Sequence, residues 1–300
     1  MTGRGRYGLQ EGVALLQRQA SSVLRGLLRP ATYVGTGLEM LHAAVHATAY
    51  PLGMFSVETM QDVLGAEQAV TAVGEAPDPA VARAPIILVH GYVMNRSAFF
   101  ALRQGLRTAG FQHVRAFNYP QFTHPLEALA AMLATEVTRA LAASGQPKCM
   151  IVGHSMGGIV ARYYLQELGG EEWVDTVVTL GTPHAGTYTS HLGVGPAAAQ
   201  MTYRSPFLER LRAGARPSAV RYISYYSDLD AWVLPASSAK LTHPALQASN
   251  VRVRDIGHLS MLVSAPVIRS VVEYLSRPDL DRPQWPGLSV ARPPASQQAS

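Results

Sequence analysis

Hydrophobic positions along this chain follow two regimes that change near residue 80. Before it, apolar residues recur every three or four positions. Val13, Leu16, Ala20, Val23 and Leu27 form one stripe, with Arg18, Arg25 and Arg29 on the other side. This predicts an amphipathic basic helix stopped at Pro30. A second stripe of Val34, Leu38, Leu41 and Val45 predicts another helix ending at Pro51-Leu52-Gly53, with Glu39, His42 and His46 on a separate line. Residues 75–85, rich in proline and alanine, read as a linker.

Beyond the linker the pattern becomes strand, helix, strand. Ile86-Ile87-Leu88-Val89 is a continuous apolar run, as expected of a strand buried on both faces of a parallel sheet. A helix follows from about residue 97, with Phe100, Leu102, Leu106 and Ala109 inward and Gly110 at its end. Further strands are expected at 113–119, 148–153, 175–180, 220–225 and 251–255, and helices at 126–143, 157–168 and 266–275. Residues 183–217 are irregular, with a short helix near 207–211, and 184–217 form a candidate lid. Six strands alternating with helices define an α/β class, a mostly parallel sheet covered on both faces. The divisions are a helical extension over 1–80, the α/β unit over 81–276, and a disordered proline-rich tail over 277–300.

The 300 residues, 48% of them hydrophobic, suffice for one large core. The single cysteine, Cys149, excludes an internal disulfide and falls in a strand, as a small core residue. A net charge of +5 with scattered arginines argues against nucleic acid as a partner. Neither a membrane-spanning run nor an ordinary secretory signal is read, so a cytoplasmic or peripheral membrane location is expected, with peripheral contact through the N-terminal helices as one option.

The candidate chemistry centres on Gly153-His154-Ser155-Met156-Gly157, which joins a predicted strand to a predicted helix. A serine hydroxyl is a weak nucleophile that needs a fixed position and an adjacent base, and a strained strand-to-helix turn provides the position. Gly153 and Gly157 fit there because a β-carbon would clash. With such a turn the partners follow in chain order, acid and then histidine. Of the ten histidines this leaves His184, His191, His243 and His258. His258 stands just past the last predicted strand and is favoured as the base, with His243 as runner-up and His184 in a loop or pocket wall. Asp228 and Asp230 both follow the strand at 220–225 and both qualify as the acid, since side chains two apart in extended chain point the same way. Main-chain N–H groups of Tyr92 and Met156 are placed to stabilise an oxyanion, with His90 holding the loop. Tyr92, Val93, Met94, Met156, Trp232 and Leu259 supply apolar surface for an acyl chain. His42 and His46 lack a third ligand, so no metal and no cofactor is assigned.

These segments, Val89-His90-Gly91-Tyr92, Val152 to Gly158, Leu180-Gly181-Thr182-Pro183-His184-Ala185-Gly186-Thr187, Ser227 to Asp230 and Gly257-His258, together resemble bacterial lipases and esterases of the α/β-hydrolase superfamily. The resemblance covers about residues 85–276 and looks closest to the minimal lipases of actinobacterial type. The family's acid precedes a valine by three residues with a proline soon after, and Asp230, with Val233 and Pro235, fits that pattern better than Asp228. The resemblance implies an α/β-hydrolase fold and a serine carboxylic-ester hydrolase using Ser155, Asp230 and His258, with oxyanion donors at Tyr92 and Met156 and a small-molecule or lipid ester as substrate. An acyltransferase or thioesterase would use the same residues, and a silent membrane-associated binding protein would retain only the fold. The first 80 residues lie outside the resemblance.

Overall fold

The computed structural model describes Gly37, residues 39–41, 76–246 and 248–277, and the backbone of 288–291. The two expected N-terminal helices lie largely outside these residues, as do His42 and His46. Within the expected linker, Pro79–Arg83 forms a short helix, α1, because Asp78 caps it by accepting the Ala80 N–H at 2.7 Å.

One sheet carries strands β1 (Ile86–Val89), β2 (Val114–Phe117), β3 (Cys149–His154), β4 (Val174–Leu180), β5 (Arg221–Ser227), β6 (Ser249–Val253) and β7 (Leu288–Ala291), in the spatial order β2-β1-β3-β4-β5-β6-β7. The six expected strands are all parallel to one another. The continuous apolar run of β1 divides by twos. Ile87 and Val89 belong to one core, with α3 (Leu126–Ser144) and α4 (Met156–Glu167), while Ile86 and Leu88 belong to the other, with α2 (Phe100–Thr108) and α7 (Ala265–Ser276). Each β1 side chain therefore has a helix to pack on, which is why this strand shows no polar alternation. The chain passes from β1 outward to β2 and returns to β3 on the other side of β1. The strand order thus reverses there, and the carboxyl ends of β1 and β3 flank the crevice where ligands bind in such sheets.

Three expectations are corrected. Phe100 is 38% exposed and Phe99 is fully buried, because Arg96–Phe99 is a tight 3₁₀ turn whose three-residue period shifts the inward face by one position. Residues 183–217 are more ordered than expected, with a 3₁₀ turn at Tyr188–Leu192 and helices α5 (Pro196–Gln200) and α6 (Pro206–Ala213). The tail expected to be disordered contributes β7, which pairs antiparallel with β6 in the register Val251↔Val290 and Val253↔Leu288. Among the described residues no helix is long and apolar enough to cross a membrane.

Candidate active site

The strand β3 delivers Ser155 to the crevice. Its backbone has φ 52° and ψ −123°, a conformation that costs a non-glycine residue about 1–3 kcal/mol and persists only where the surroundings enforce it. The enforcement is visible: the Ser155 N–H donates to the Leu180 carbonyl at 2.9 Å, and the serine begins α4 directly. The flanking glycines are required by close approach. A β-carbon on Gly153 would lie 2.6 Å from the Gly158 nitrogen, and one on Gly157 would fall on the carbonyls of Val89 and His90. The first turn of α4 therefore lies against the end of β1.

The loop after β1 is held from both sides. The His90 ring stacks on Tyr119 with centroids 4.0 Å apart, its Nδ1–H donates to the Gly91 carbonyl at 2.9 Å, and the Tyr119 hydroxyl donates to the His90 carbonyl. A β-carbon on Gly91 would lie 2.9 Å from Ser155 Cβ, so residue 91 packs on the serine and residue 92 follows beside it. The Tyr92 hydroxyl donates to the Val194 carbonyl at 2.6 Å and accepts the Val194 N–H at 2.7 Å, tying this loop to the segment before α5.

His258 follows β6 and opens a 3₁₀ turn at Leu259–Leu262. It is 4% exposed, and its Nδ1–H donates to Asp230 Oδ2 at 2.7 Å. Asp230, itself 3% exposed, accepts the Trp232 and Val233 N–H groups at Oδ1, each at 2.9 Å. With Nδ1 committed to Asp230, proton exchange falls to Nε2. Burial works against the imidazolium, but the charge and hydrogen bond of Asp230 and the charge of Glu39 outweigh it, and the His258 pKa lies above its ordinary value of 6.5. The ring also neighbours His154, centroids 4.5 Å apart, whose Nε2–H donates to the His258 carbonyl at 3.1 Å.

The structure separates the two aspartates. Asp228 points outward and pairs with Arg252 of β6, while Asp230 turns in to His258. Of the other histidines, His184 is buried, its ring 3.1 Å from Thr179 Oγ1, and burial together with the nearby Arg162 cation holds its pKa well below the ordinary value. His243 sits in the turn before Leu246, its ring accepting the Ala245 N–H at 3.4 Å. Neither lines the cavity on which Ser155 and His258 both open. Among the described residues no group of three or more His, Cys, Asp or Glu side chains is arranged for a metal ion.

That cavity measures about 800 Å³ and is walled largely by apolar side chains, among them Tyr92, Met94, Phe122, Leu192, Met201 and Trp232. Its size suits a small organic ligand or an alkyl chain. Five of the six side chains expected to supply apolar surface line it, but Met156 does not: its side chain is fully buried in the core with Ile87 and Val89, as the inward first residue of α4.

Two residues at the site were missed by sequence reasoning. Gly181, at the end of β4 with φ +56°, leaves space for the Asp230–His258 pair: a β-carbon there would lie 2.9 Å from both Asp230 Oδ2 and His258 Nδ1. A glycine at the carboxyl end of a parallel strand was the available signal. Glu39, read only as part of a polar stripe, accepts the N–H groups of Leu259 and Ser260 and the Ser260 hydroxyl. No local pattern marks so distant a contact.

Comparison with known proteins agrees with this architecture. Residues 84–243, just over half of the chain, match the alpha/beta hydrolase fold family, and the chain belongs to that family. It is 28% identical over 152 residues to a triacylglycerol lipase of Burkholderia plantarii, covering 48% of this chain and 41% of that one. It is 30% identical over 115 residues to a triacylglycerol lipase of Pseudarthrobacter phenanthrenivorans, covering 36% of this chain and 35% of that one. The chain thus spans less than half the length of both relatives. Among solved structures, Aspergillus fumigatus lipase B superposes with a TM-score of 0.58 at 22% identity, over 65% of this chain and 52% of that one. The mature Bacillus licheniformis lipase BlEst2 superposes with a TM-score of 0.57 at 18% identity, over 69% of this chain and 98% of that one. At these identities the two structures speak for the fold.

Proposed function

We propose that this protein hydrolyses carboxylic esters with apolar acyl chains by covalent serine catalysis. Ser155 Oγ attacks the ester carbonyl while His258 Nε2 takes the hydroxyl proton, and the Tyr92 and Met156 N–H groups hold the oxyanion. Collapse of the tetrahedral intermediate expels the alcohol, which receives that proton from His258, and leaves the acyl group on Ser155. Water, giving a proton to His258, then attacks the acyl carbon. The carboxylic acid departs and Ser155 regains its proton. Asp230 fixes the imidazole tautomer and stabilises the imidazolium without taking the proton itself.

The observation that carries this reading is the buried 2.7 Å bond between Asp230 and His258 on the same apolar cavity as a serine held at φ 52°. The triacylglycerol lipase names of two relatives support the ester class. The test is hydrolysis of p-nitrophenyl esters of two to sixteen carbons by the intact protein and by Ser155→Ala. The rate is expected to rise with chain length and to fall by at least about 10³-fold in the variant. A variant that retains activity would remove Ser155 from the mechanism.

A further inference from the structure

Three of the hydrogen bonds that fix the turn after His258 end on one carboxylate from far away in the sequence. Glu39 Oε1 accepts the Leu259 N–H at 2.7 Å, and Oε2 accepts the Ser260 N–H at 3.0 Å and the Ser260 hydroxyl at 2.6 Å. On the other side of the histidine, a β-carbon on Gly257 would lie 2.6 Å from Glu39 Cδ, so residue 257 is packed on the same carboxylate. The residues bracketing His258 in sequence are thus all seated on Glu39. These N–H groups open a 3₁₀ turn, and the carboxylate accepts both of them. Glu39 stands well before residue 84, where the match to the hydrolase family begins, so the extension contributes directly to the site.

We propose that Glu39 is a positioning residue for His258: by clamping the Leu259–Leu262 turn it keeps the imidazole on Asp230 and on the cavity that Ser155 also lines. This rests on the hydrolase reading above for its consequence, not for its geometry. An imidazole hung on a loop that can swing loses the alignment that proton transfer requires, and a displacement of about 1 Å costs on the order of a hundredfold in rate. The charge acts as well. The groups facing the His258 ring are Asp230 from the loop after β5, His154 from the end of β3, and Glu39 from the extension, and both carboxylates favour the imidazolium.

The test compares Glu39→Gln, Glu39→Asp and a neighbouring control, Met40→Ala, whose side chain is 72% exposed. Gln keeps the size, but it removes the charge and turns an amide N–H₂ toward the backbone N–H groups. With kcat expressed per folded molecule, Glu39→Gln is expected to lose about ten- to a hundredfold in kcat with KM within about threefold. The His258 midpoint, followed by NMR on histidine-labelled protein, moves to lower pH, and the acidic limb of kcat/KM moves with it. Glu39→Asp recovers part of both, and Met40→Ala changes neither. Wild-type kcat per folded molecule in Glu39→Gln, or an unmoved His258 midpoint, would overturn the proposal, even if the variant were less stable. The NMR midpoint needs no turnover. A wild-type protein inert toward esters would therefore sink the hydrolase reading, and the Glu39 contact would still be decided by that midpoint.

Discussion

At the scale of single residues, two aspartates two positions apart have opposite fates. Extended-chain periodicity places Asp228 and Asp230 on one side, yet β5 ends at Ser227, whose hydroxyl accepts the Leu229 N–H at 3.1 Å and starts a turn. The turn sends Asp228 out to Arg252 and Asp230 in to His258, which strand periodicity could not reveal. The pair yields a sharp comparison. Asp230→Asn is expected to lower kcat by about 10³- to 10⁴-fold, because an amide favours the wrong imidazole tautomer, while Asp228→Asn stays within about twofold. Protonation adds a pH signature. Under the proposed mechanism His258 must be neutral to act as general base, and its pKa is raised, so the acidic limb of kcat/KM should lie above pH 6.5. A raised folded-state pKa also means that the stability from this ion pair is fully present below the unfolded value and is lost as pH rises through the folded one. Activity and this increment of stability therefore move in opposite directions across that window, and kcat/KM and denaturant midpoints measured against pH check both.

At the scale of elements, much of the architecture was legible because parallel strands sandwiched between helices must be apolar throughout. Ile86–Val89 shows this, and each of its side chains is fully buried. The strand-to-helix turn at Ser155 was legible for a related reason: a β-carbon at Gly157 would strike the backbone of β1. Gly157→Ala is therefore expected to destabilise the protein by about 1–3 kcal/mol by pushing α4 off the sheet. Gly145→Ala, at the end of α3 with φ +66° and open space around it, should cost only about 1 kcal/mol of conformational strain. Urea unfolding of the two variants measures the difference. Other features escaped the sequence. The strand β7 lies in a tail whose composition argues for disorder, and what orders it is the open edge of β6. The inward face of α2 was misassigned at Phe100 because a 3₁₀ turn and an α-helix have different periods.

At the scale of the whole molecule, the crevice, the cavity and the extension form one arrangement. Loops ending β1, β3, β4, β5 and β6 supply Tyr92, Ser155, Gly181, Asp230 and His258, and Glu39 reaches the same place from residues that precede the sheet. Apolar side chains continue outward from the cavity: Leu192 is 85% exposed and Trp232 54% exposed. The account depends on Ser155 being a nucleophile activated by the Asp230–His258 pair, and a fluorophosphonate reports on that directly. After incubation of the intact protein with the reagent, peptide mass spectrometry should find a single phosphonyl adduct on Ser155, formed in proportion to the loss of ester hydrolysis and absent from Asp230→Asn on the same timescale. An unlabelled Ser155 in a protein that still hydrolyses esters, or an adduct elsewhere that abolishes hydrolysis, would contradict it.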